Sequence, residues 1–238
     1  MALAVLALFA ALPALAEQGK NVGWEPVYSP SCNGCNLSFK RLAGWNLDKG
    51  QFEGANFTAS DLRSVSAEEA NFTGATFTGT NLIEANLARA SVEDASLNAA
   101  KLQGASATGL NAIGASLIGA NLTAGEFIGA TFETADLSGA KAIGAIFAAA
   151  SLRGARAEKT DFTKANFDGA NLTNAQFIGA NLSGASFLDT RLGGADFTGA
   201  TAFETADFEG ACISNSTRLP AGLVIPACPP APIAAVME

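Results

Sequence analysis

Apolar residues recur at every fifth position from Leu37 to Ala202. Of these 34 positions, 15 are Leu, 12 Phe, one Val and six Ala; none is polar, so the period is a structural constraint. Two residues before each such centre, 23 of the 34 positions are Ala, and two residues after it 17 are Gly. The residue just before the centre is usually Asn, Asp, Ser or Thr, as in Ala55-Asn56-Phe57-Thr58-Ala59. Five is neither the helical period of 3.6 nor the strand period of 2. The two apolar positions of a unit are nevertheless two apart, as on one side of an extended segment. Each unit therefore predicts a very short strand with Ala and Leu or Phe pointing inward. A turn follows it, for which Gly supplies the positive φ.

Turning repeatedly in one sense winds the chain into a solenoid. Such units cannot bury their centres alone and must stack. Each buried Leu or Phe contributes roughly 1.5–3 kcal/mol, most of it offset by backbone ordering. Volume is conserved locally: Val65 precedes Ala67 and Leu110 precedes Ala112. Charge spacing sets the number of units per coil. Within the array from Leu37 to Ala202, at a separation of twenty residues, Arg41–Asp61, Lys49–Glu69, Glu69–Arg89, Glu133–Arg153, Asp136–Arg156 and Lys141–Asp161 are opposite in sign, and only Asp48–Glu68 is like-charged. At fifteen the pairs split three and three, and at twenty-five two and four. Stacked opposite charges stabilise adjacent strands, so four units per coil are expected.

The A(N/D/S/T)(L/F)xx units, exemplified by Ala55–Ala59 and Ala170-Asn171-Leu172-Thr173-Asn174, resemble those of the pentapeptide-repeat family over about three quarters of the chain. The resemblance implies an all-β fold, a right-handed four-sided β-helix, in agreement with the charge spacing. After Phe197 the phase slips by one residue near 200–203 and resumes at Phe208 and Ile213, which reads as a bulge. Thirty-six units would make about nine coils, a rod of about 40 Å at the ~4.8 Å spacing of stacked strands.

Solenoid ends must be covered, and the remaining segments are assigned accordingly. Residues 1–16 read as a signal peptide: the apolar run Ala2–Ala16 is short for a membrane span and ends in Ala14-Leu15-Ala16, a small-x-small cleavage pattern. Residues 17–36 are an expected N-terminal cap, 37–215 the β-helix, and 216–238 a C-terminal cap with a Pro-rich tail. Export makes disulfides plausible. Across a rod of this length, Cys32 or Cys35 cannot come within the ~7 Å between Cα atoms that a bridge to Cys212 or Cys228 requires. That leaves Cys32–Cys35 and Cys212–Cys228. A redox role for the Cys32-Asn33-Gly34-Cys35 motif stays open, although neither a βαβ unit nor a helix start surrounds it.

Composition narrows the chemistry. The chain has no histidine, which removes the commonest general base and metal ligand. Neither a metal nor a cofactor is expected. A net charge of −8 repels phosphate backbones and argues against ordinary nucleic-acid binding. The acidic pairs Glu68-Glu69 and Glu93-Asp94 are adjacent in sequence, so their side chains diverge, a poor geometry for glycoside hydrolysis. The expectation is an exported, non-enzymatic scaffold in a periplasmic or other extracytoplasmic compartment. It would have an envelope protein as partner, or a second copy of itself. The alternative is a DNA mimic that binds a type II topoisomerase, as the resemblance to a cytosolic subset of the family implies. Outward positions carry Ile113, Ile118, Ile128, Ile143 and Ile146, a candidate apolar interaction patch in a span with few charges; with four-sided coils Ile128 and Ile146 share one face and Ile113, Ile118 and Ile143 lie on the other three, so the patch would wrap the rod.

Overall fold

A computed structural model describes residues 31–228, and over them the chain winds as a β-helix. The signal-peptide assignment, most of the N-terminal cap with Trp24 and Tyr28, and the Pro-rich tail fall outside the described residues. From Ser31↔Gln51 to Asn181↔Thr201, every parallel bridge joins residues twenty apart, so four units make one coil. The bridging residue is the one just before each centre. Stacked centres define four faces, beginning at Cys32, Leu37, Leu42 and Leu47, here called the first to the fourth.

Hydrogen bonding explains the five-residue consensus. The centre donates to the coil above (Phe57 N to Thr76 O, 2.7 Å), and the residue before it donates to the coil below (Asn56 N to Cys35 O, 2.8 Å). The residue two after the centre also donates upward (Ala59 N to Thr78 O, 3.0 Å), and the third closes the turn onto the centre's own carbonyl (Ser60 N to Phe57 O, 3.0 Å). One amide per unit, just after the centre, has no backbone acceptor. The side chain before the centre often caps it: Thr58 N donates to Asn56 Oδ1 at 2.9 Å. Elsewhere an amide side chain on the coil below does so, as Asn98 Oδ1 does for Ile118 N at 2.9 Å. The Asn, Asp, Ser and Thr preference thus satisfies the one donor the ladder leaves over.

The interior is dry. Every Phe centre from Phe52 to Phe197 is fully buried, with Ala of the preceding position beside it in most units. On the fourth face, Phe127, Phe147, Phe167, Phe187 and Phe208 form one column with centroids 5.2, 5.1, 5.0 and 4.7 Å apart and rings nearly parallel. Where the Ala position holds a hydroxyl, that group is buried and reaches a centre carbonyl on the coil below. Ser60, Thr80, Thr160 and Thr190 donate to Leu37, Phe57, Leu137 and Phe167 at 2.6, 2.6, 2.7 and 2.9 Å. No polar group is stranded by these exceptions to Ala.

Each residue two after a centre has φ between 52° and 74° from Gly34 to Gly199. Sixteen of these positions are not Gly, so the turn tolerates a side chain at a cost of about 1–2 kcal/mol. Thr134, β-branched at φ 57°, is the least suited to it. Thr134→Gly is expected to raise stability by up to about 1 kcal/mol, the strain relief being partly offset by the greater freedom of Gly in the unfolded chain. The measurement is the shift in urea midpoint. A lower midpoint would show that the Thr134 hydroxyl, which donates to the Glu133 carbonyl at 2.7 Å, matters more than the strain.

The ladder starts at Ser31, earlier than the phase beginning at Leu37. Cys32 occupies a centre and Cys35 an Ala position, and Gly34 makes the turn between them. At the other end the bulge is a 3-10 turn, Phe203–Thr205, after which Ser186↔Asp207 spans twenty-one residues. A second extra residue follows: Asp196 pairs with Arg218, twenty-two away, so Leu219 stands above Phe197. Thr217 takes the Ala position of that unit and donates to the Leu192 carbonyl at 2.9 Å, as the buried hydroxyls do elsewhere.

Candidate interaction surfaces

The cysteines pair as the rod length requires. Cys32–Cys35 have Cα atoms 5.4 Å apart and Cys212–Cys228 4.5 Å apart, leaving no free thiol among the described residues. Cys32 is buried, an inward staple across one turn. Cys212 sits in the ladder opposite Arg191, and Cys228 returns to it beside the Ile213↔Ala227 bridge.

Charge is arranged in stacked pairs. Lys49, Glu69 and Arg89 climb one corner of the fourth face, with Lys49 to Glu69 at 3.8 Å and Arg89 to Glu69 at 3.0 Å. Glu68 also contacts Arg89, so both members of this acidic pair are occupied by one guanidinium. Asp136 and Arg156 stack at 3.9 Å on the second face. Asp61 takes its partner within its own unit instead: Arg63 bonds both its oxygens, at 2.8 and 2.7 Å. The Arg63 side chain therefore holds the Asp61 carboxyl below the usual carboxylate range, against a smaller opposing effect of burial. These pairs are exposed and worth little each. Among the described residues, no group of His, Cys, Asp or Glu could hold a metal ion.

The five isoleucines of the candidate patch lie around the rod, as four units per coil imply. Ile118, Ile128 and Ile143 are exposed at 46, 40 and 37%, whereas Ile113 and Ile146 are half-buried. Ile113 lies on the first face, Ile118 on the second and Ile143 on the third; only Ile128 and Ile146 share the fourth. The four-sided winding distributes them around the rod at similar height, a belt rather than a flat patch.

A different surface emerges once the chain is folded into coils of twenty. Over its first five levels the second face carries no charge at residues 36–39, 56–59, 76–79, 96–99 and 116–119. The other three faces carry charge over the same height: Glu53, Glu93 and Asp94 on the first, Asp61, Arg63 and Lys101 on the third, Glu68 and Arg89 on the fourth. The outward positions of this strip are Ser, Thr and Asn with occasional small or apolar residues. Its N-terminal corner is Phe39, 77% exposed at φ 59°. A shallow groove of about 410 Å³ lies farther along, where the second extra residue opens the corner between the first and second faces; Asn174, Gln176, Asp196, Ser216 and Arg218 are among its lining.

Comparison with known proteins agrees with this architecture. The family model of pentapeptide repeats (8 copies) matches residues 68–104, 95–133, 133–169 and 160–199, more than half of the chain. The chain belongs to the pentapeptide-repeat family. Among solved structures it is similar to HetL, a pentapeptide repeat protein involved in heterocyst differentiation regulation from the cyanobacterium Nostoc sp. Strain PCC 7120. The identity is 24% over 89% of this chain and 98% of that one, with a TM-score of 0.54. That likeness shows the fold, the right-handed quadrilateral β-helix of pentapeptide repeat proteins. Fainter likenesses join it to a thylakoid-lumen pentapeptide repeat protein of Arabidopsis thaliana (26% identity, 45% of this chain and 76% of that one, TM-score 0.41). Full-length QnrB1, a plasmid-mediated fluoroquinolone resistance protein, is comparably distant (18%, 79% and 92%, TM-score 0.42). No curated protein matches the chain.

Proposed function

We propose that this chain is an exported, non-enzymatic scaffold, a rigid rod of about nine coils that offers its faces to a partner in an extracytoplasmic compartment. The observation that carries this reading is the pairing of all four cysteines, two at each end of the solenoid. Such pairs persist in oxidising compartments and not against cytosolic reductants. The apolar run ending at Ala16 points the same way. The non-enzymatic reading rests on a core filled by Phe, Leu and Ala, and on acidic pairs engaged by guanidinium rather than held apart across a cleft. A topoisomerase-binding DNA mimic would need ladders of uncompensated negative charge, and here Lys49, Arg89 and Arg156 interrupt them at coil-to-coil spacing.

The test is to isolate the protein from its native cell, sequence its N-terminus and titrate its thiols without reduction. A start at Glu17 and no free thiol are expected. A cytosolic chain that keeps Met1 and four free thiols would overturn the reading, and inhibition of a type II topoisomerase by that chain would establish the alternative.

A further inference from the structure

The uncharged strip of the second face combines three properties that the rest of the described exterior does not bring together. It is a continuous sheet surface, because parallel bridges run through it without interruption from Asn36 to Ser116. Its polar groups are ordered in two ranks, one before and one after each centre, repeating at the coil spacing of ~4.8 Å over a height of about 20 Å. Those groups are fixed by their neighbours: Thr78 Oγ1 and Ser96 Oγ lie 3.3 Å apart, and Ser116 Oγ donates to Asn98 Oδ1 at 2.6 Å. The third property is Phe39. A bulky aromatic in left-handed backbone is unfavourable in itself, and this one gains little by burial, being 77% exposed. The nearest charge along the chain, Lys40, begins the next face.

From this combination we infer that the strip is a binding platform for a neutral, extended polysaccharide. Hydroxyl and amide groups both donate and accept, as sugar hydroxyls require. A ring exposed among the described residues at one end offers a face on which a pyranose can stack, with an apolar body against C–H groups. The absence of charge over five levels disfavours an ionic ligand, which would demand counter-charges, and a continuous sheet surface offers no concave pocket of the kind a small molecule demands. An extended β-linked chain advances per sugar by about the same distance as the stack advances per coil. Alternate sugars of such a chain present the same edge, so every second coil can repeat one set of contacts, with many weak bonds summing to useful affinity. The inference names a partner for the scaffold proposed above, but binding in vitro is independent of where the protein resides.

The experiment measures retention of the disulfide-intact protein, residues 17–238, on microcrystalline cellulose and on chitin, with anionic alginate as the charged comparison, and sedimentation velocity in parallel. The parent is expected to bind at least one neutral polymer and not alginate. Phe39→Gly places the residue best suited to φ 59° at that corner, so its thermal stability is expected to equal or exceed the parent's while its affinity falls roughly five- to tenfold. Thr78→Glu, at an exposed position, is expected to weaken binding at least about tenfold by placing an uncompensated charge under the sugar chain. Failure of the parent to bind either neutral polymer would overturn the inference. So would undiminished binding by Phe39→Gly, or a parent dimer that Thr78→Glu dissociates, which would assign the strip to self-association.

Discussion

Phe147→Asp is expected to yield a chain with no cooperative fold. Phe147 is fully buried in the fourth-face column, with Phe127 and Phe167 stacked at 5.2 and 5.1 Å and the edges of Phe132 and Phe162 at 5.7 and 6.1 Å. A carboxylate there has no partner. The buried polar side chains of this core are Ser60, Thr80, Thr160 and Thr190, each a small donor aimed at a carbonyl. Burying an unpaired charge costs more than the few kcal/mol that a domain can lose. Because each coil is stabilised chiefly by its neighbours, the defect also removes two inter-coil interfaces at once. Phe147→Ala isolates the cavity effect and should cost about 3–5 kcal/mol. Phe147→Leu, the other common centre, should cost less than about 1.5 kcal/mol. Circular dichroism and urea unfolding of the three variants give the order Leu, Ala, Asp. A soluble Asp variant that unfolds cooperatively would show that this centre is not part of a dry column. Leu122→Asp and Phe132→Asp, also at fully buried centres, are expected to behave alike.

Much of this architecture can be read from the chain because one side-chain rule repeats. Centres and their Ala partners face inward in every unit, and the rule for stacked charges distinguishes twenty from fifteen or twenty-five residues per coil. Units that obey the geometry with different chemistry are harder to read. Cys32 and Cys35 fill a centre and an Ala position, yet a cysteine pair does not look like Leu and Ala, so the apolar pattern is legible only from Leu37. The second slip, before Arg218, is hidden for the same reason: Thr217 replaces Ala and meets the Leu192 carbonyl with its hydroxyl. The isoleucines show what four units per coil imply: successive units point in four directions, so residues near in sequence are spread around the rod and only Ile128 and Ile146 share a face. The uncharged strip is the converse case, since its levels are twenty residues apart and no window of neighbouring residues reveals them.

The surfaces depend on the ends being held, and there the larger effect is expected at Cys212–Cys228. In the chain-entropy view, a bridge closing a loop of this length stabilises by about 3 kcal/mol, against about 2 kcal/mol for the four-residue loop of Cys32–Cys35. The local structure points the same way. Past the bridge to Arg218, the segment returning to Cys228 is held by few ladder contacts: Ile213 N to Pro226 O and Cys228 N to Ile213 O, both 2.9 Å, with Ile225 buried and Val224 90% exposed. Arg218 adds a surface pair with Asp196, 3.0 Å. Burial opposes but does not outweigh the hydrogen bonds from Thr198 and Arg218 that hold the Asp196 carboxyl below the usual range. The folded value being depressed, this contribution is present at neutral pH and fades as acidification protonates the carboxyl, so the end is weakest in acid. Replacing Cys212 and Cys228 together by Ser is therefore expected to fray residues 208–228 while leaving the column from Phe127 to Phe167 intact. Hydrogen exchange resolves this better than a single melting curve, because a solenoid can open from one end. Amides of Ile213 and Arg218 should exchange at least about tenfold faster in the double variant, and faster again below pH 4 relative to the intrinsic rate, with Phe147 and Phe167 unchanged. Unchanged protection at Ile213 would mean that packing of Ile225 and Leu219 alone closes the rod, and that the bridge does not hold this end.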